Sequence, residues 1–348
     1  ATDDELTQQR AADVKDLKTS MLSILLGVKE VKLSAAPKGT VVVAKELTPS
    51  MTAGINKENI VGIITETGGK TSHSAILARA LEIPAVLSVN GAVSKLSAGT
   101  YVIVDGSEGV VIDEPDDAVI QEYNTKRINF LKERKELENF RGKATKALSG
   151  EEYELFCNIG KPEDAIKAVD ADGEGVGLFR TEFLFMDRTA LPTEDEQFDA
   201  YKKAALTLKG KPVIIRTLDI GGDKEIPYLG LKKEENPFLG FRAIRYCLKH
   251  KDLFKTQLRA IVRASAFGDV RIMFPLITAV EELREGKALV EEVKSELRKE
   301  GIDFNENIPV GIMTETSASV MIADILAKES DFFSIGTNDL TGYTMACD

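Results

Sequence analysis

The stretch from Val310 to Leu340, VGIMTETSASVMIADILAKESDFFSIGTNDL, shows one pattern twice. Each time, a short apolar run is followed by polar residues and then by a segment with helical spacing. The six apolar runs of this kind are Tyr153-Ile159, Val176-Phe179, Val213-Leu218, Ile272-Ile277, Val310-Met313 and Phe332-Ile335. Strands that alternate with helices favour a parallel sheet, so we predict an α/β fold of the (β/α)8 TIM-like barrel type. A closed barrel has eight strands, so six runs predict an incomplete one.

Polar side chains follow several of these runs. Barrel enzymes place their chemistry in the loops at the carboxyl ends of the strands. Arg180 ends the run Gly-Leu-Phe-Arg, and Arg216 ends Val-Ile-Ile-Arg. Guanidinium groups suit the bidentate binding of phosphate or carboxylate, although a single strand-end arginine is more often part of a structural salt bridge. We therefore predict an anion site at this edge.

Two acids end consecutive predicted strands. Glu315 lies in Gly-Ile-Met-Thr-Glu-Thr, and Asp339 lies in Ser-Ile-Gly-Thr-Asn-Asp-Leu. Mg²⁺ takes a few carboxylates together with water and substrate oxygens, so two acids are sufficient to hold it. The alternative is that these acids cap the helices that follow them. The two interpretations require different carboxylate positions.

The segment Gly68 to Leu87, GGKTSHSAILARALEIPAVL, places His73 at the start of a predicted helix. Thr71 or Ser72 can cap that helix. The positive end of the helix would keep the imidazole neutral, and free backbone N–H groups would stabilise a phosphoryl group attached to it. His73 is thus a candidate phosphoryl acceptor, while an ordinary capping or surface role is the alternative.

The 348 residues carry 45 Lys and Arg against 56 Asp and Glu, a net charge of −11. This charge disfavours nucleic acid and anionic lipid and suits a basic protein partner. No apolar run approaches the ~18 residues that span a bilayer, and the acidic start differs from a signal peptide. Cys157, Cys247 and Cys347 are far apart and lack metal-ligand spacing, which favours a reducing compartment. We expect a cytoplasmic protein without membrane insertion.

Composition divides the chain into four predicted segments. The first segment is residues 1–28, which contain a helix from about residue 4 to residue 27. The second is residues 29–114, a compact β/α domain that carries His73. Residues 115–149 form a linker with one long exposed helix, Gln121 to Lys146, that lets one domain swing. Residues 150–348 form the barrel. The first residue is not Met and the chain stops just past a strand, so we expect a fragment, truncated at both ends.

The run Gly-Gly-Lys-Thr-Ser-His, with the Ala-Arg helix and Ile-Pro-Ala after it, resembles a phosphohistidine signature. Enzyme I of the phosphoenolpyruvate:sugar phosphotransferase system shares this signature with pyruvate phosphate dikinase and phosphoenolpyruvate synthase. Further segments match enzyme I motifs almost throughout: Leu178 to Arg188, Arg216 to Lys224, Asn236 to Arg245 and Asp331 to Met345. The chain thus resembles the enzyme I family over nearly its whole length.

The resemblance implies a phosphotransferase in which a swivelling β/α domain carries phosphate from the barrel to the carrier protein HPr. It implies a Mg²⁺ cofactor, phosphoenolpyruvate as donor, and a homodimer in the parent family. The implied roles are His73 as phosphorylated histidine, Arg180, Arg216 and Asn338 as substrate ligands, Arg242 as a further substrate-side residue, and Glu315 and Asp339 as Mg²⁺ ligands.

The sequence departs from that family in three places. The helical domain that binds HPr is mostly absent, with only its end expected in residues 1–28. The family's proton-donor cysteine falls beyond Asp348, and Cys347 does not match it. Thr316-Ser317-Ala318-Ser319 replaces a Pro and small apolar residues. We therefore expect weak or no turnover from these 348 residues alone.

Two alternatives remain. A pyruvate phosphate dikinase or phosphoenolpyruvate synthase relative would need an ATP-binding domain, and no Gly-rich nucleotide loop is present. The run Arg-Thr-Glu-Phe-Leu-Phe-Met-Asp-Arg favours enzyme I instead. A non-catalytic phosphoacceptor or regulatory fragment would bind phosphoenolpyruvate without transfer to His73.

Overall fold

The computed structural model describes residues 18, 21–22, 25, 33–52, 55–69, 72–186, 188–221 and 226–347. The chain divides into two compact units, Ala1–Asn139 and Phe140–Asp348. The predicted amino-terminal helix and the 1–28 segment lie almost entirely outside the described residues. Within the described residues, no helix combines the length and the apolar composition that crossing a bilayer requires.

The first unit contains a parallel sheet of β1 (Thr40–Ala44), β2 (Ile60–Thr65) and β3 (Ala85–Val86) in that order. An antiparallel hairpin of β4 (Val102–Asp105) and β5 (Val110–Asp113) follows. Buried apolar side chains from β1, β2 and the histidine-bearing helix pack together, including Val42, Ile63 and Ala78. From residue 33 onward, the described α-helices of this unit are Pro49–Thr52, His73–Leu81, Ala92–Lys95 and Asp117–Glu138.

The long charged helix begins and ends earlier than the sequence predicts. Asp116 caps it, because the Asp116 carboxylate accepts the Val119 N–H at 2.9 Å. The helix ends at Glu138 rather than at Lys146, and its 22 residues span about 33 Å. Gly142 adopts a left-handed φ of +71°, which interrupts a helix. The predicted carboxyl end of this helix was therefore wrong.

The residues after Gly142 form a short hairpin instead. Thr145–Lys146 is β6, and it pairs antiparallel with β7, Glu152–Tyr153. The apolar run Tyr153-Ile159 predicts that the first strand of the large sheet begins at Tyr153. This prediction was wrong, because Tyr153 belongs to the hairpin. The first strand of the large sheet begins at Phe156.

The second unit is built on one parallel sheet of six strands, which form an open part of a barrel. Their order in space equals their order in sequence, and every neighbouring pair is parallel. The strands are β8 (Phe156–Ile159), β9 (Gly175–Arg180), β10 (Val213–Arg216), β11 (Val270–Phe274), β12 (Val310–Thr314) and β13 (Phe333–Ile335). The prediction of an incomplete α/β barrel is confirmed.

Helices connect these strands and cover one face of the sheet. Each crossover joins parallel neighbours, as the βαβ pattern of the sequence predicts. The α-helices of this unit are Asp164–Asp170, Glu194–Leu208, Ala243–Lys249, Lys251–Ala264, Val280–Glu300, Ser317–Met321, Ala323–Leu326 and Thr337–Met345.

Strand alternation decides which side chains reach the other face of the sheet. Val213 and Ile215 of β10 belong to the large core shared with the helices, whereas Ile214 packs with Met273 and Met313 in a separate cluster. Side chains two residues apart share a face, so Arg216 lies on the same face as Ile214. Its Nη1 atom is 3.8 Å from the Met313 sulfur. The alternation thus directs this arginine to the inner face, at the carboxyl end of β10.

Candidate active site

Arg216 is the centre of a buried set of charges at the carboxyl end of the sheet. It is paired in register with Arg180 of β9 and is 8% exposed. Its Nη2 donates to Glu182 Oε1 at 2.7 Å, and its Nη1 lies 2.8 Å from Asp219 Oδ2. Two carboxylates therefore hold the guanidinium in one orientation.

Asp219 also binds a second arginine. Its Oδ1 atom accepts hydrogen bonds from Arg242 Nη2 at 2.7 Å and from Arg242 Nε at 3.2 Å. Burial of Arg242 opposes its charge, but the Asp219 carboxylate outweighs that effect, so the pKa of Arg242 lies above its ordinary value. Two cationic groups are thereby joined through one buried carboxylate.

The predicted acids lie at the same edge. Glu315 follows β12 and is fully buried, and its Oε1 accepts the Leu276 N–H at 2.6 Å. Asp339 follows β13, and its Oδ1 lies 3.5 Å from Arg242 Nη1. Burial raises the pKa of Glu315 to about 7, and the negative charges of Asp219 and Asp339 add to the increase. Part of the Glu315 population is therefore protonated near neutral pH.

Neither acid caps the helix that follows it. Thr316 is the N-cap of the helix Ser317–Met321, and its hydroxyl accepts the Ser319 N–H at 3.1 Å. Gly336 is the N-cap of the helix Thr337–Met345 and makes no side-chain cap bond. The capping alternative therefore does not hold for either acid.

Unpaired polar atoms concentrate at this edge. Buried polar atoms in proteins almost always have a hydrogen-bond partner, so each exception calls for an explanation. The exceptions among the described residues all belong to residues at, or just after, the carboxyl ends of β9, β10 and β12. Among the residues that the structure describes, the buried side-chain nitrogen and oxygen atoms without a partner are Glu182 Oε2, Arg216 Nε, Thr217 Oγ1, Thr314 Oγ1 and Glu315 Oε2.

Among these atoms, the carboxylate oxygen of Glu315 is suited to contact a cation, although it is not part of a complete metal cage. Glu315 Oε2 is a buried oxygen without a partner, and Asp339 supplies a second carboxylate at the same edge. Across the described ranges, no three or more His, Cys, Asp and Glu side chains are grouped to hold a metal. A cation held here would need further oxygens from water or a ligand, which is the coordination that Mg²⁺ accepts.

Some of the predicted site residues are connected by ion pairs, and others have exposed side chains at the same edge of the sheet. Asp219 forms ion pairs with both Arg216 and Arg242, and Arg242 also pairs with Asp339. Glu315 lies among these charges. Arg180 and Asn338 lie at the same edge with exposed side chains. Their assignment as ligands stays a prediction, as do the roles of the other residues.

Sequence reasoning missed Glu182, Asp219 and Tyr343. Glu182 follows Arg180 in Arg-Thr-Glu, and Asp219 follows Arg216 by three residues, so an acid close after each strand-end arginine was the available signal. For Tyr343 the sequence carries no such signal. Its hydroxyl oxygen lies 3.5 Å from Arg242 Nη1, but the two residues are 101 positions apart in the chain.

In the first unit, Ser72 caps the helix that begins at His73. The Ser72 hydroxyl accepts the Ala75 N–H at 3.3 Å, so the predicted cap is confirmed and His73 occupies the first helical position. Thr71 and the His73 side chain lie outside what the structure describes. Gly68 has φ +111°, and the Ser88 hydroxyl donates to its carbonyl at 2.7 Å. These contacts define the turn that leads to the helix.

The chain combines an α/β unit that has paired arginines and acids at its strand ends with a β/α unit that has a histidine at a helix start. Residues 134–348 match the family model described as PEP-utilising enzyme, PEP-binding domain, and residues 36–109 match PEP-utilising enzyme, mobile domain. The chain belongs to the family of PEP-utilising enzymes, which confirms the resemblance seen in the sequence.

Curated relatives match over almost the whole chain. Proteins named phosphoenolpyruvate-protein phosphotransferase from Staphylococcus carnosus and Priestia megaterium are each 49% identical over 346 residues, 99% of this chain and 60% of the relative. The protein of that name from Bacillus subtilis is 49% identical over 346 residues, 99% of this chain and 61% of the relative. The chain thus spans about 60% of the length of these relatives.

Proposed function

We propose that this chain takes the phosphoryl group of phosphoenolpyruvate (PEP) onto His73 and that the longer protein passes it to the carrier protein HPr. The observation that carries the proposal is the set of unpaired buried atoms around Arg216 and Glu315. PEP has a phosphate and a carboxylate, and two arginines joined through Asp219 match two anionic groups on one ligand. Arg180 and Asn338 would add contacts from the exposed rim.

Glu315 and Asp339 would hold Mg²⁺, which would offset charge on the phosphoryl oxygens when bound. Glu315 must lose its proton to take this role, because a metal-ligating carboxylate is deprotonated. Leu276 holds one of its oxygens through a backbone hydrogen bond, so the side chain is oriented before a ligand arrives.

In the transfer itself, the bond between phosphorus and the enol oxygen of PEP breaks, and a bond between phosphorus and a ring nitrogen of His73 forms. The leaving group is the enolate of pyruvate. His73 is the first residue of its helix, so free backbone N–H groups at the helix start would stabilise a phosphoryl group attached to it. The chain's own contribution is mainly to position the groups and to offset charge.

The proposal includes a cytoplasmic location and, for the longer protein, a homodimer. The three cysteines are free in the structure, which is usual in a reducing compartment. Because the chain spans 60% of the length of its relatives, we assign transfer to HPr to the longer protein.

Intact-mass spectrometry tests the proposal. The full chain is incubated with PEP and Mg²⁺ and compared with His73→Ala and with His250→Ala, which removes the other of the two histidines. We expect one phosphoryl increment in the parent chain and in His250→Ala, none in His73→Ala, and loss of the increment in mild acid. An increment that survives in His73→Ala would contradict the assignment of the acceptor.

The same samples separate the alternative readings. PEP binding without any increment, measured by calorimetry, would favour the non-catalytic phosphoacceptor or regulatory fragment. An increment that requires ATP would favour the dikinase or synthase class.

A further inference from the structure

The loop that leads to Arg242 is held by three side chains. Glu234 accepts the Phe241 N–H at 3.0 Å, and Arg245 donates to the carbonyls of Leu239 and Gly240 at 2.9 and 3.0 Å. Both side chains are close in sequence to the loop they hold. The third contact comes from a distant part of the chain.

That third contact is Tyr343, in the helix Thr337–Met345. Its hydroxyl donates to the Phe238 carbonyl at 2.5 Å across 105 residues and lies 3.5 Å from Arg242 Nη1. The Phe238 ring is 5.6 Å from the Arg242 guanidinium carbon. Tyr343 therefore connects the Arg242 loop to the helix that carries Asp339.

We propose that Tyr343 is a positioning residue that sets the affinity for PEP by holding Arg242 and its loop in place. This inference rests on the proposed function, because it concerns the binding of PEP at that site.

Asp219 and Tyr343 contact different nitrogens of the Arg242 guanidinium. Asp219 binds Nη2 and Nε of that guanidinium, which leaves Nη1 on the side of Tyr343 and Asp339. Nη1 is therefore the nitrogen that faces the second proposed metal ligand. Phe238 and Leu239 are more than half exposed, so little packing holds the loop where it approaches the site. Without the Tyr343 hydroxyl, the loop loses its side-chain hydrogen bond to a distant part of the chain and keeps those made by Glu234 and Arg245.

The test is calorimetric titration of PEP, with Mg²⁺ present, into the full chain and into Tyr343→Phe. We expect about three- to tenfold weaker binding in the variant, the usual worth of one hydrogen bond. Tyr228→Phe is the matched control, because the Tyr228 hydroxyl also donates to a backbone carbonyl, that of Phe185. The affinity of Tyr228→Phe should equal that of the parent chain.

A double-mutant cycle distinguishes positioning from a general loss of structure. If Tyr343 acts through Arg242, then Tyr343→Phe should change PEP affinity by less than about twofold in an Arg242→Gln background. Hydrogen exchange of residues 236–242, measured without ligand, should be faster in Tyr343→Phe than in the parent chain.

The outcomes separate the two proposals. A parent chain that does not bind PEP overturns the proposed function, and the inference with it. If Tyr343→Phe binds PEP as tightly as the parent chain, the inference alone is overturned. The same holds if the effects of Tyr343→Phe and Arg242→Gln on PEP affinity are additive.

Discussion

Gly336 and Glu315 are in contact at the carboxyl edge of the sheet. A Cβ atom at position 336 would lie 2.6 Å from the Oε2 and the Cβ of Glu315. The φ angle of Gly336 is −82°, so the glycine is required by space and not by its backbone conformation. The space around the unpaired oxygen of Glu315 therefore depends on the absence of a side chain at position 336, directly after β13.

We therefore expect Gly336→Ala to destabilise the second unit by about 1–3 kcal/mol, because the backbone or Glu315 must move. Differential scanning calorimetry of the full chain measures this as a lower transition temperature. Gly342→Ala is the control in the same helix, where the nearest atom is 3.2 Å away and alanine favours the helix. Equal effects of the two substitutions would contradict the steric explanation.

Glu315 should make stability fall as pH rises in metal-free buffer. Its pKa is about 7 in the folded protein against an ordinary value of 4.5, so the folded state holds this proton more tightly than the unfolded state does. The proton on Glu315 thus contributes about 3 kcal/mol to the free energy of unfolding below pH 4.5, and this contribution is lost as the pH rises through 7.

Glu315→Gln removes this titration. We expect the difference in unfolding free energy between the parent chain and the variant to change across pH 4.5–7, with the variant gaining relative stability at the higher pH. Urea unfolding at several pH values measures it. Parallel pH profiles for the two proteins would show that Glu315 does not titrate in this range.

Asp219→Asn should destabilise the second unit by about 3 kcal/mol. The substitution leaves two buried guanidinium groups without their shared carboxylate. Asp269→Asn is the matched control, since Asp269 pairs with Arg271 at 2.7 Å where both side chains are about one-third exposed. The control should cost less than about 1 kcal/mol by urea unfolding. Similar costs at both positions would contradict the buried-pair explanation.

Ser72→Ala should weaken the helix that begins at His73 by about 1 kcal/mol, because the Ala75 N–H loses its acceptor. Ser72→Asn keeps an acceptor and should retain most of the stability. Hydrogen exchange of residues 73–81 reports the change locally. If the two variants exchange alike, then the hydroxyl does not act as a cap.

Much of the second unit could be predicted because strand and helix patterns are local. The six apolar runs appear as the six strands of the sheet, and the strand-end residues Arg216, Glu315 and Asp339 lie at one edge because parallel strands end together. The predicted carboxyl end of the charged helix was wrong because a solvated helix has few apolar contacts to mark its limits.

The sequence by itself determined the parallel α/β sheet, the helix that starts at His73, and the edge of the sheet to which the charged residues belong. Apolar periodicity, capping and strand ends act over a few residues, so they can be read along the chain. Only the tertiary structure decided that Asp219 joins two arginines, that Glu315 keeps an unpaired oxygen beside Gly336, and that Tyr343 holds a loop 105 residues away. Hydrogen bonds and burial depend on distances between segments, and those distances exist only once the chain has folded.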